Sequence, residues 1–200
     1  MIFGGLQKTS LIDYPGKVCS VLFISGCNFA CPYCHNPQLV KGGMKQGSFI
    51  EEDRVFEFLE KRKTILDGVV ISGGEPTLSG GLLSLCENIK QMGYQVKLDT
   101  NGSQPEVIKR LIDDSLVDYI AMDIKTDPHH YPPLIQRDPE PDLLIESIHI
   151  IMASAPDYEF RTTCVRPIVD EQIIESIAAT IEGAKRYALQ PFHQGVDIPS

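Results

Sequence analysis

The sequence predicts a parallel α/β sheet, and three observations predict it. Six short runs of strand character alternate with segments of helical spacing, the order that builds right-handed βαβ crossovers. Polar and glycine-rich motifs fall directly after these runs, where sites sit in parallel sheets, at the carboxyl ends of the strands. No repeat, low-complexity tract or linker divides the 200 residues. Residues 1–200 are therefore read as one domain, a length that suits a full core. Six units allow an open doubly wound sheet or an incomplete barrel, and periodicity does not choose between them.

Each element has its own warrant. Residues 18–24 (V-C-S-V-L-F-I) form an apolar run, a buried strand, and a cysteine loop follows it. Residues 51–63 carry Val55, Phe56 and Leu59, with acids in the first turn and Lys/Arg at the end, the charge order that suits a helix dipole. Residues 68–72 (G-V-V-I-S) are the second strand and run into G-G-E-P. Residues 80–92 place Leu82, Leu85, Cys86 and Ile89 near helical spacing, closed by Gly93. Residues 94–99 are the third strand, ending in T-N-G, and Pro105 opens a short helix over 105–114. Residues 117–124 are the fourth strand. The proline-rich stretch 126–141 reads as a long loop, of the kind that serves as a lid or partner-binding element or as plain surface. A helix over 142–154, a fifth strand over 158–165, a helix over 170–186 and a short sixth strand over 187–192 complete the chain.

Composition narrows the function. Hydrophobic residues make up 42% and charged residues 22%, the balance of a folded globular chain. A formal net charge of −9 is a poor match for phosphate backbones, so nucleic acid is not an expected partner. No apolar run reaches the roughly 18–20 residues of a membrane span. The opening M-I-F-G-G-L-Q-K lacks the apolar core and cleavage site of a secretory signal. The expected setting is the cytoplasm, away from membranes, where a disulfide framework is not expected.

The chemistry gathers in four places. Cys27, Cys31 and Cys34 stand at i, i+4 and i+7 in C-N-F-A-C-P-Y-C-H-N. Iron–sulfur clusters are held by cysteine thiolates, usually four. A cubane held by three keeps one iron open for a substrate. The rival is a structural zinc with His35 as fourth ligand, although such sites usually pair two C-x-x-C knuckles and no second knuckle exists here. Cys19, Cys86 and Cys164 fall in or beside apolar segments and read as small buried hydrophobes. If one of them closed the cluster, the chain would be an electron carrier.

Gly73, Gly74, Glu75 and Pro76 form the second place: two glycines allow close backbone approach, and carbonyls or the carboxylate could accept from a cationic amino group. A plain strand-to-helix turn is the alternative. Asp99, Thr100, Asn101 and Gly102 end the third strand, and Met122, Asp123, Ile124 and Lys125 end the fourth. Two carboxylates facing one pocket repel unless a cation sits between them, and an oxygen-rich cavity favours a hard one. Turn aspartates and a solvated lysine are the plainer reading. Arg161 on the fifth strand, and Arg166 at its end, need anionic partners if buried.

The run C-x-x-x-C-x-aromatic-C, with Tyr33 as its aromatic, and the G-G-E-P turn resemble the radical S-adenosylmethionine (SAM) enzymes. The segments G-G-L-Q-K-T-S-L-I-D-Y-P-G-K and C-N-F-A-C-P-Y-C-H-N-P further resemble activating enzymes of glycyl-radical proteins, above all the activase of anaerobic ribonucleoside-triphosphate reductase. The resemblance implies a partial parallel (βα)6 barrel with a 4Fe-4S cluster on Cys27, Cys31 and Cys34. In this family SAM chelates the fourth iron through its amino and carboxylate groups. One electron, from a donor such as flavodoxin or ferredoxin, cleaves SAM, and the 5′-deoxyadenosyl radical takes a hydrogen from a glycine of the partner. Cofactor contacts are then expected from Tyr33, His35, Asn36 and Asn101, with His193 near the adenosyl group. Gly73, Gly74 and Glu75 would take the SAM ammonium, Asp123 and Lys125 would line its pocket, and Arg161 would face its carboxylate, with Arg166 the competing choice. Asp99, Thr100, Asp123 and the Met122 carbonyl would hold a monovalent cation. With no further cysteine-rich insert, a second cluster is not expected. Three alternatives stay open: a radical SAM enzyme acting on another glycyl-radical partner, a peptide or a small molecule; an iron–sulfur electron carrier; and a zinc-stabilised binding module.

Overall fold

The computed structural model describes residues 3–40, 49–129, 131–133, 135 and 140–192. Seven strands form one open sheet in chain order: β1 (Phe3–Ser10), β2 (Cys19–Ile24), β3 (Gly68–Gly73), β4 (Gln95–Thr100), β5 (Tyr119–Asp123), β6 (Tyr158–Cys164) and β7 (Tyr187–Pro191). From β2 onward every pairing is parallel. The connections carry α1 (Pro37–Val40), α2 (Glu52–Glu60), α3 (Leu82–Gln91), α4 (Pro105–Asp113), α5 (Pro141–Ser154) and α6 (Glu171–Thr180). This is the partial-barrel arrangement, open at β1 and β7. None of the described helices is long and apolar enough to cross a membrane.

The six expected parallel strands are present, and a seventh precedes them. β1 pairs antiparallel with β2, matching Leu6 to Leu22 and Gln7 to Val21. Its sequence F-G-G-L-Q-K-T-S offers neither an apolar run nor an apolar alternation, because it is an edge strand with a largely exposed second half. Backbone pairing, the Ser20 hydroxyl donating to the Gln7 carbonyl at 2.9 Å, and the single sealed side chain of Phe3 hold it. Helix α6 ends at Thr180, six residues before its expected end, and the short α1 directly after the cysteine loop was not expected at all.

Strand alternation divides the sheet into two unlike faces. Leu22, Ile24, Val69, Ile71, Val96, Leu98, Ile120, Met122 and Phe160 point to the outer face and pack against the apolar sides of the helices, all essentially sealed from solvent. The inner face begins at the amino ends with a small apolar plug of Tyr14, Cys19, Val21, Val70, Tyr119 and Ala121. Phe23 packs on this plug; level with it Lys97 and Asp99, and beyond it Ser72, Asp123, Arg161, Thr163 and Gln190, make the rest of the inner face polar. A polar inner face that starts partway up the strands leaves room for a ligand at their carboxyl ends.

Candidate functional site

The cysteine loop is fastened to the sheet by its backbone and its aromatics. The Gly74 amide donates to the Ile24 carbonyl at 2.8 Å and the Glu75 amide to the Gly26 carbonyl at 2.7 Å, extending the β2–β3 pairing past the strand ends. Contact is so close that a Cβ on Gly74 would lie 1.9 Å from the Gly26 carbonyl oxygen, and one on Gly73, at φ 120°, would lie 2.4 Å from the Ile24 amide nitrogen. Both glycines are thus required where one backbone meets another, and they also line the cavity above. Phe29 and Tyr33 are buried and turn inward. Phe29 meets the Tyr131 ring edge-on at 5.7 Å, and the Tyr33 hydroxyl donates to the Lys125 carbonyl at 3.2 Å. Tyr131 in turn accepts from the Lys125 amide at 2.8 Å, and the Ala30 amide donates to the Ile135 carbonyl at 2.7 Å. The described half of the long loop therefore braces the cysteine loop.

The thiols of Cys27, Cys31 and Cys34 face a cavity of about 260 Å³, which Phe29 and Tyr33 also line. His35 and Asn36 continue the same wall, and Ser72, Gly73 and Gly74 contribute from the end of β3. The His35 ring stacks on Phe192 with centroids 6.1 Å apart. Strand β4 adds Asp99, Thr100 and Asn101; β5 and its exit add Asp123 and Lys125; Arg161 and Thr163 come from β6 and Gln190 from β7.

Charges on the inner face are paired. The Arg161 Nε donates to Asp123 Oδ1 at 2.8 Å, and its Nη1 lies 3.5 Å from Asp99. Lys125 Nζ donates to Asp123 Oδ2 at 3.0 Å. Lys97 Nζ donates to Asp99 Oδ1 at 2.5 Å. Burial works to raise the Asp123 carboxyl, but Arg161 and Lys125 outweigh it and hold it well below the ordinary carboxylate range. Burial also works to discharge Lys125 and Arg161, and the neighbouring negative groups together, Asp123 first among them, outweigh it in both.

Glu75 has a different place from the one expected of a cofactor contact. Its carboxylate is buried behind the cavity wall, where Oε1 accepts from the Thr77 amide at 3.1 Å, the Thr77 hydroxyl at 2.6 Å and the Thr100 hydroxyl at 2.8 Å. Oε2 accepts from the Asn101 amide at 2.6 Å. Burial pushes its pKa up, and these donors work against that rise. Glu75 thereby ties the end of β3 to the end of β4. Asn101 carries the tie onward, donating from Nδ2 to Asn28 Oδ1 at 3.0 Å in the cysteine loop.

The remaining expected residues divide. Met122 turns its side chain into the helix-side core, in register with Thr100 and Phe160. Arg166 is exposed and does not line the cavity, whereas Arg161 does. His193 lies outside the described residues. Cys19 sits in the inner plug and Cys86 in the helix-side core, while Cys164 approaches the Thr162 carbonyl; none of the three lines the cavity. Lys97 was missed, although Q-V-K-L-D-T places it two residues from Asp99 and so on the same face. Ser72, Thr163 and Gln190 were also missed, and no residue-type signal marks them.

The donor set fits a cluster held at three corners. Burial pushes the Cys27 thiol up to about 11 and the Cys31 thiol up as well, so neither is a reactive thiolate by itself. Bound metal deprotonates such thiols outright. Among the described residues no three His, Cys, Asp or Glu side chains are gathered tightly enough for one ion.

Comparison with known proteins agrees with this geometry. Residues 21–180 match the family model of the radical SAM superfamily. A Methanocaldococcus jannaschii protein, provisionally named a glycyl-radical enzyme activating enzyme, is 37% identical over 196 residues, covering 96% of this chain and 80% of that protein. The pyruvate formate-lyase-activating enzyme of Clostridium pasteurianum is 30% identical over 132 residues, covering 60% of this chain and 50% of that enzyme. Among solved structures, SuiB of Streptococcus suis bound to S-adenosylmethionine superposes with a TM-score of 0.67 at 13% identity, covering 90% of this chain and 44% of that one. Its likeness is one of fold. A match across four-fifths of the sequence, falling on the three-thiol loop and the parallel sheet that presents it, settles the kinship: the chain belongs to the radical SAM superfamily.

Proposed function

We propose that this protein is a glycyl-radical-enzyme activase, with anaerobic ribonucleoside-triphosphate reductase as its partner and flavodoxin or ferredoxin as its electron donor. The observation that carries the reading is the three-thiol wall, with the other cysteines turned away from the cavity it shares with a paired charge network. When bound there, a 4Fe-4S cluster and SAM supply a 5′-deoxyadenosyl radical by one-electron cleavage of the sulfonium.

The chain's own part is to bind, orient and exclude. Cys27, Cys31 and Cys34 would hold three irons. Gly73 and Gly74 offer backbone groups to a cationic amine, and Glu75 keeps that turn in place from behind. Arg161 and Lys125 present positive charge to a carboxylate while Asp123 holds both in position. His35, with Phe192 stacked on it, offers a flat surface to a purine. Walls drawn from five strands limit water and stray C–H bonds near a carbon radical.

The experiment is anaerobic. Chain reconstituted with iron and sulfide, reduced and given SAM is expected to release 5′-deoxyadenosine, and with the reductase present it is expected to generate a glycyl radical visible by paramagnetic resonance. An intact reduced cluster that yields no 5′-deoxyadenosine would refute the radical reading. Product without a radical on the reductase, but with one on another glycyl-radical protein, would overturn only the choice of partner.

A further inference from the structure

The paired carboxylates Asp99 and Asp123 stand where an acidic pocket would ordinarily draw in a free cation, and the structure places three side-chain cations there. Alternation along β4 sends Val96 and Leu98 to the helix-covered face and Lys97 to the inner one. Lys97 is only 1% exposed, a burial that a lysine tolerates when it is paired. Its Nζ is 2.5 Å from Asp99 Oδ1 and 5.9 Å from the centroid of the Tyr119 ring in the plug below. Arg161 spans the gap, at 2.8 Å from Asp123 and 3.5 Å from Asp99, and Lys125 closes Asp123 from its other oxygen at 3.0 Å. Glu159, on the same face, is met by Arg186 at 3.7 Å. Asp99 and Asp123 thus have two cationic neighbours each. The hydroxyl of Thr100, a further oxygen ligand such a cation would want, is engaged with Glu75.

We propose that Lys97 is a positioning residue that supplies, from within the chain, the positive charge these carboxylates would otherwise take from a free monovalent cation, so that the site assembles without one. A free cation would have to displace the ammonium from Asp99 and sit beside Arg161, against the repulsion of both. Lys97 fixes the Asp99 carboxylate, Asp99 helps fix Arg161, and Arg161 lines the cavity. The proposal rests on the reading of this cavity as the SAM site only for its effect on SAM; the charge pairing stands on its own.

The test compares full-length, anaerobically reconstituted wild type with Lys97→Met, which keeps an unbranched apolar stem and removes the charge. Both are studied in potassium, sodium and choline chloride at one ionic strength. Thermal midpoint is read without SAM, and SAM affinity by equilibrium binding. Wild type is expected to behave alike in all three salts. Lys97→Met is expected to gain a saturable preference for potassium or sodium over choline in its midpoint, with SAM affinity at least about fivefold higher in the favoured salt. Lys97→Gln serves if the Met variant does not fold. A saturable requirement of the wild type for potassium or sodium would overturn the proposal, as would a neutral variant indifferent to the cation. A chain that binds no SAM sinks the proposed function, while the melting comparison still decides the role of Lys97. Loss of packing alone would lower the variant's midpoint equally in the three salts, which also counts against it.

Discussion

Cys27, Cys31 and Cys34 differ from the other three cysteines in what surrounds them. Their thiols face a cavity shared with Lys125 and Arg161, whereas Cys19 and Cys86 are sealed among apolar side chains. Serine at any of the three loop positions is expected to abolish stable cluster loading, read as iron and sulfide per chain, while leaving the fold intact. Alanine at Cys19, Cys86 or Cys164 should leave that load unchanged, and loss of the cluster at any of these would favour a fourth protein ligand. Asp123 provides a second test at this scale. Its carboxyl pKa is depressed in the folded state, so its contribution to stability is complete above the ordinary value of 3.8 and is lost as pH falls toward the depressed one. The difference in unfolding free energy between wild type and Asp123→Asn should therefore be constant between pH 7 and about 5 and close below about pH 4. A gap that widens on acidification would contradict the Arg161–Asp123–Lys125 pairing.

Between elements, the site depends on how the ends of β2, β3 and β4 are joined. Gly74 admits no side chain, because the obstacle is the Gly26 backbone rather than a movable side chain. Gly74→Ala is expected to lower the thermal midpoint and to reduce cluster loading together, since relief requires β3 to part from the loop that carries Cys27. The Glu75 carboxylate accepts four hydrogen bonds and donates none. A glutamine there must turn its amide toward a donor, the Asn101 amide or the threonine hydroxyls. Glu75→Gln should cost about 1–3 kcal/mol in denaturant unfolding, the typical penalty for a mispaired buried polar group. A smaller effect would mean that the hydroxyls of Thr77 and Thr100 reorient freely.

Over the whole molecule, a sheet with one apolar face and one half-polar face explains both stability and function. The outer face carries the helices; the inner face gives its lower half to packing and its upper half to charge. Much of this is legible in the residues. V-C-S-V-L-F-I and G-V-V-I-S announce buried parallel strands because both their faces are covered over most of their length. C-x-x-x-C-x-x-C announces its metal chemistry because thiolates at that spacing have few other uses. β1 was not legible, since an edge strand held by backbone pairing and one sealed side chain, Phe3, needs no apolar pattern. Neither was the inward turn of Glu75, which depends on Thr100 and Asn101, 25 and 26 residues further on. The sequence by itself determined the alternation of strands and helices, the three-thiol loop and the set of polar residues at strand ends, because each follows from local spacing. Only the tertiary structure decided which charges meet. Lys97, Asp99, Asp123, Lys125 and Arg161 come from three strands and their exits, and Coulomb pairing among them depends on distances that exist only once the sheet has closed its register.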